Sequence, residues 1–131
     1  MSKSIKILII DDDASIRESL ELYFKTAGYA VSTASEPALC SVYQHANCTA
    51  EDRCADALMI DQNMPGMTGV EFIRRQSERG CKLPARYKLI MTGALTEEVR
   101  ALAESLGCQV VQKPFSLVEA RRFVLTAETA Q

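Results

Sequence analysis

No stretch of this chain approaches the ~20 consecutive apolar residues that a membrane-spanning helix needs. The N-terminal MSKSIKILII runs straight into acidic residues, without the apolar region and cleavage site of a signal peptide. Membrane insertion and secretion are therefore not expected, and a cytoplasmic protein is the default. Charge of one sign is also scarce. The formal net charge is −2, and the densest basic pairs are Arg74-Arg75 and Arg121-Arg122. Such pairs read as solvated helix faces, so no direct nucleic-acid partner is expected. The chain also lacks a Cys-x-x-Cys pair. Its cysteines, Cys40, Cys48, Cys54, Cys81 and Cys108, are odd in number, which favours reduced thiols over a disulfide framework. Cys40, His45, Cys48 and Cys54 lie close enough in sequence to surround a zinc ion, but their spacing matches no common zinc module. Incidental or buried thiols are the better reading. His45, the only histidine, reads as a surface residue.

What the chain does have is a packable core. Hydrophobic residues make up 47% of its 131 residues, which suits one domain spanning 1–131. The core of that domain is expected over about 4–127. Short apolar runs alternate with segments of helical period throughout. Ile5 to Ile10 (IKILII) is a strand-length run ended by three aspartates. Ile16, Leu20, Tyr23, Phe24 and Ala27 recur at helical spacing, with Gly28 as a C-terminal cap. Ser15 and Glu18 could form a capping box there, with Asp13 competing for the cap.

Tyr29 to Ala34 reads as a second strand, and Ser35-Glu36-Pro37 as the start of a helix fading by Asn47. Ala57 to Ile60 forms a third strand, ended by Asp61, and a loop holding Pro65 and Gly66 leads to a helix from about Gly69 to Arg79. Tyr87 to Met91 is the fourth strand, ended by Thr92. A helix opens at Thr96 and closes at Gly107. Gln109 to Gln112 is the fifth strand, followed by Lys113-Pro114-Phe115 and a capping box, Ser116 to Glu119, on the last helix. Strict alternation implies a doubly wound α/β fold: a five-stranded parallel sheet with helices on both faces. The order 2-1-3-4-5, flavodoxin-like, is the economical topology.

Ligands of such sheets sit outside the carboxyl ends of the strands, where the strand order reverses. At those ends this sequence places Asp11-Asp12-Asp13, Asp61, Thr92 and Lys113. Polar residues often end strands, and any one of these carries little weight alone. Together they are chemically complementary. Clustered carboxylates repel, and a hard cation such as Mg²⁺ relieves that repulsion with oxygen ligands. Acids, a hydroxyl and a lysine form a kit for holding a metal and a phosphoryl group, whose transfer depends on positioning and charge stabilisation.

In the segments ILIIDDD (7–13), LMIDQNMPGMTG (58–69), LIMTGA (89–94) and VVQKPF (110–115) the chain resembles the receiver domains of two-component response regulators. The likeness covers nearly all of it, and the run Asp61-x-x-Met64-Pro65-x-x-x-Gly69 is its most specific part. The resemblance implies that Asp61 accepts a phosphoryl group from a sensor histidine kinase or a histidine phosphotransfer protein. It implies Mg²⁺ held by Asp11, Asp12, Asp61 and the backbone carbonyl of Asn63. Thr92 and Lys113 would contact phosphoryl oxygens, and a cis peptide bond would precede Pro114. Such a protein is a phosphoacceptor that assists its own chemistry and is not an enzyme acting on other substrates. Two positions depart from the family pattern: Val110 stands where many receivers carry a switching aromatic residue, and Gln62 follows the acceptor where an apolar residue is usual. Asn63 and Ala94 occupy the positions that set acyl-phosphate lifetime in the family.

A phosphohydrolase of the haloacid-dehalogenase type is the sharpest rival, with Asp11 as nucleophile and Asp13, Thr92 and Lys113 in support. It requires a second acidic pair after Lys113, where only Glu119 and Glu128 occur. A degenerate receiver that only binds proteins is a second rival. The last helix is expected to end near Ala127, leaving no room for an output domain. A stand-alone regulator, or a receiver cut from a longer chain, would signal to a downstream protein target or pass phosphate onward. By the family resemblance, the contact face would be the fourth helix, fifth strand and fifth helix.

Overall fold

The computed structural model describes residues 5–40, 47–49 and 51–129. Five parallel strands form its sheet: β1 (Lys6–Ile10), β2 (Ala30–Ala34), β3 (Ala57–Asp61), β4 (Lys88–Thr92) and β5 (Gln109–Gln112), in the order β2-β1-β3-β4-β5. Four α-helices are described: α1 (Ala14–Thr26), α2 (Gly69–Glu78), α3 (Glu97–Leu106) and α4 (Leu117–Glu128). The fold is the doubly wound, flavodoxin-like sheet expected from the alternation. Right-handed crossovers put α1 on one face, while α2 and α3 cover the other.

Burial follows from this layering. Every residue of β3 and β4 is buried, because helices cover central strands on both sides, whereas β2 and β5 at the edges are not. Phe24 of α1 and Phe72 of α2 are fully buried among Ile9, Met59, Ile60, Ile90 and Met91 of the core. Truncating either ring would cost about 3–5 kcal/mol. The helix starts are set by local chemistry. Asp13 wins the cap of α1, its Oδ1 accepting from the N–H of Ser15 at 2.8 Å and of Ile16 at 3.4 Å. Thr68, Thr96 and Ser116 cap α2, α3 and α4, and Gly107 ends α3 in the left-handed region at φ +82°.

Strands β1 and β2 begin one residue later than expected, at Lys6 and Ala30, and two further boundaries differ for local reasons. Tyr87 belongs to a 3-10 turn, Ala85–Tyr87, closed by its N–H on the Pro84 carbonyl at 3.1 Å, so β4 begins at Lys88. The helix expected from Ser35 is at first only a 3-10 turn, Pro37–Leu39, and Cys40 is already extended at φ −90°, ψ 128°. Pro37 supplies a good first helical residue but no N–H, and the turn is not propagated through Cys40. Residues 41–46 of that expected helix, His45 among them, lie outside the described residues.

Candidate functional site

Strand register delivers the polar residues to one edge. Ile10 pairs with Ile60, so the next residues, Asp11 and Asp61, lie side by side across the β1–β3 switch point. Asp61 pairs with Met91 and Thr92 with Gln112, which brings Thr92 and Lys113 to the same edge. Asp11, Asp61 and Thr92 are buried, while Asp12 is exposed.

Lys113 ties the two buried acids together. Its Nζ donates to Asp11 Oδ2 at 2.9 Å and to Asp61 Oδ1 at 3.1 Å. The Asp61 Oδ1 also accepts from the Asn63 N–H at 3.3 Å, and Asp11 Oδ1 from the Asp13 N–H at 2.9 Å. The Lys113 N–H donates to the Thr92 carbonyl at 2.7 Å, and the Lys113–Pro114 bond is cis. Thr92 Oγ1 accepts from the Ala94 N–H at 3.2 Å, which occupies a lone pair and not the hydroxyl proton.

The electrostatics are those of crowded carboxylates. Burial, and then the Asp11 charge, push Asp61 up to about 6 from its ordinary 3.8, against the opposing pull of Lys113. Lys113 itself is pulled down by burial, but its bonds to Asp11 and Asp61 outweigh this and it titrates above its usual range. Carboxylate oxygens of Asp11, Asp12 and Asp61 all lie within 4.8 Å of one another. These are hard oxygen donors around one point, with more negative charge than a single lysine balances. The set suits Mg²⁺, which takes carboxylate oxygens and keeps waters. Among the described residues no other such group occurs. Cys40 and Cys48 are half-buried and Cys54 is exposed, all as free thiols, and among the described residues no thiol joins a ligand cluster; His45 lies outside them.

The family model of the response regulator receiver domain matches residues 7–124. The chain belongs to that family. As a receiver domain of the two-component response-regulator class it has many relatives. Response regulator MprA of Mycobacterium bovis is 32% identical over 117 residues, covering 88% of this chain and 47% of the relative. The chain thus spans about half the length of the curated relatives it matches. The chemotaxis response regulator CheY4 of Vibrio cholerae is 29% identical, with a TM-score of 0.70 over 95% of this chain and 99% of that one. The receiver domain of the Francisella response regulator 1452, at 19% identity, shares the fold with a TM-score of 0.78 over 98% of this chain and all of that one.

The receiver edge also contains two residues that sequence reasoning did not place. Arg17 Nη1 donates to the Asp11 carbonyl at 2.7 Å, holding the start of the acidic loop from α1. Its only trace in the sequence is a basic residue on the first turns of the helix that follows the acids. Gln62 is buried, and its Oε1 accepts from the Val70 N–H at 2.9 Å. A polar side chain in a position where an apolar one is usual was the trace left by that role.

Proposed function

We propose that this receiver accepts a phosphoryl group on Asp61 from a phosphohistidine of a sensor kinase or histidine phosphotransfer protein. The observation that carries the reading is the Lys113 bridge between Asp11 and Asp61 across the switch point, at 2.9 and 3.1 Å. An Asp61 carboxylate oxygen attacks phosphorus, the P–N bond to the histidine breaks, and the imidazole leaves with the electron pair. Lys113, already beside Asp61, neutralises one phosphoryl oxygen, and the Thr92 hydroxyl donates to another. The Arg17 bond to the Asp11 carbonyl holds the acidic loop in place during this step. Asp11, Asp12, Asp61 and the Asn63 carbonyl would hold Mg²⁺, which when bound would supply positive charge against the transferring group.

In this reading the protein is a phosphoacceptor and not an enzyme with a separate substrate. It works in the cytoplasm and signals to a downstream protein. No described helix is long and apolar enough to cross a membrane. The dehalogenase-like alternative draws no support from the acids after Lys113. Glu128 accepts a hydrogen bond from the Tyr29 hydroxyl at 2.7 Å, and Glu119 sits in the first turn of α4.

The test is incubation with acetyl phosphate or beryllofluoride in the presence of Mg²⁺, comparing wild type with Asp61→Asn and Asp11→Asn. Labelling of wild type and its loss in Asp61→Asn are expected. A wild type that forms no acyl phosphate and binds no beryllofluoride sinks the reading. Labelling that survives Asp61→Asn but not Asp11→Asn would favour the dehalogenase-like alternative.

A further inference from the structure

We infer that Gln62 is a positioning residue for the metal: its side chain fixes the loop that presents Asn63, and so sets Mg²⁺ affinity. This rests on the proposed function, because it concerns the same acidic site. Three bonds hold Gln62 in place. Its N–H donates to the Met91 carbonyl of β4 at 2.8 Å, its carbonyl accepts from the Gly69 N–H at 3.1 Å, and its Oε1 accepts from the Val70 N–H at 2.9 Å. One residue therefore spans β3, β4 and the first turn of α2. Thr68 Oγ1 accepts from the Glu71 N–H at 3.1 Å, so the side chains of Gln62 and Thr68 divide the free N–H groups of that turn between them.

The loop from Asn63 to Thr68 is consequently closed at both ends on Gln62. Asn63, the next residue, has little freedom left, since its N–H is also held on Asp61 Oδ1 at 3.3 Å. The fit is close. A Cβ built on Gly69 would lie 2.8 Å from the Asp61 carbonyl oxygen and 3.3 Å from Gln62 Oε1. An apolar residue at 62 would fill the space but leave the N–H of Val70, a residue 3% exposed, without this acceptor. The turn would then have to shift or admit water, and the Asn63 carbonyl would move with it. Supporting residues one shell out from a metal typically change its affinity by about 10- to 100-fold.

The experiment is Mg²⁺ titration by calorimetry on wild type, Gln62→Met, Gln62→Glu and Val124→Ala, with amide exchange followed at Val70. Met has similar length without the acceptor, Glu keeps it, and Val124, fully buried on α4, reports a purely structural loss. The expected result is about tenfold weaker Mg²⁺ binding in Gln62→Met. Gln62→Glu and Val124→Ala should stay at or above wild-type affinity. Coupling is reciprocal, so Mg²⁺ must slow exchange at Val70 of the wild type as fully as at Val124, a core position that opens only with the whole fold. That measurement needs no variant to fold. Gln62→Met within twofold of wild type, or clearly less slowing at Val70 than at Val124, overturns the inference and leaves the proposed function standing. A wild type that takes no Mg²⁺ overturns both.

Discussion

In the metal-free protein, Asp61→Asn is expected to stabilise the fold near neutral pH and to lose most of that advantage in acid. Asp61 titrates at about 6 in the fold, against 3.8 ordinarily, because burial and the Asp11 charge oppose its ionisation. At 1.36 kcal/mol per pH unit, the ionised carboxylate costs the fold about 3 kcal/mol. A raised carboxyl pKa means that the folded state binds the proton more tightly than the unfolded one. Stability contributed by this group therefore falls as pH rises from 3.8 towards 6, and the full cost applies above 6. Roughly half of the cost remains at pH 5, and little at pH 4. Asparagine has the same shape and keeps an acceptor for Lys113, but it gives up the charge attraction. The net gain at about pH 7.5 should then be about 1–2 kcal/mol.

Comparing two pH values isolates the charge, since contributions that do not titrate cancel. Between about pH 7.5 and pH 5 the advantage of Asp61→Asn should shrink by about 1 kcal/mol, or about 4 °C in Tm for a chain of this size. Scanning calorimetry in EDTA reads this directly. Saturating Mg²⁺ should reverse the order, because a ligand at 100 times its Kd stabilises wild type by about 2.7 kcal/mol. An advantage equal at both pH values, or a variant less stable than wild type at both, would refute the claim that the Asp61 charge is held against its own electrostatics.

Lys113→Met keeps the length of the stem and removes the cation between Asp11 and Asp61. The expected loss in EDTA is about 2 kcal/mol by urea denaturation, below the value for a fully buried pair because the Lys113 side chain is 19% exposed. Mg²⁺ should recover most of it, and wild-type stability in EDTA would contradict the bridging role. Gly69→Ala places a Cβ 2.8 Å from the Asp61 carbonyl, which is backbone and cannot swing aside. A loss of about 2 kcal/mol in thermal unfolding, with weakened beryllofluoride binding, is expected; an unchanged Tm would show that the loop relaxes freely.

The fold was legible because its two periods do not overlap. Runs such as Ile7 to Ile10 and Leu58 to Ile60 are too short and too apolar for helices, and the caps Thr68, Thr96 and Ser116 stand where the helical period begins. The site was legible for the same reason, since register turns the last residue of each strand into a neighbour of the others. What the sequence left open was competition between equivalent local options. Asp13, Ser15 and Glu18 all offer capping groups, and only the geometry selects Asp13. Pro37 announces a helix, but the described residues show only a 3-10 turn, with Cys40 already extended. Gln62 and Arg17 act through backbone atoms of other elements, at distances in sequence that no motif records.

Val110 bears on how the signal would leave the site. It pairs with Ile90 in the β4–β5 register, and Thr92 pairs with Gln112, so Val110 and Thr92 are diagonal neighbours on one face. That diagonal spans ~7–8 Å, which an aromatic ring bridges and a valine does not. Thr92 is tied along the backbone instead. Its hydroxyl holds the Ala94 N–H at 3.2 Å, and its carbonyl holds the Lys113 N–H at 2.7 Å. Thr92 is thus bonded to both the β4–α3 and the β5–α4 loops. Beyond Lys113, Val110, Phe115 and Phe123 line a cavity of about 320 Å³ between β5 and α4. Phe115, two residues past Lys113, lines that cavity and also packs against the core. If Asp61 accepts phosphate as proposed, the bond from the Lys113 N–H to the Thr92 carbonyl is the hydrogen-bonded link from the site towards α4, where many receivers use an aromatic residue.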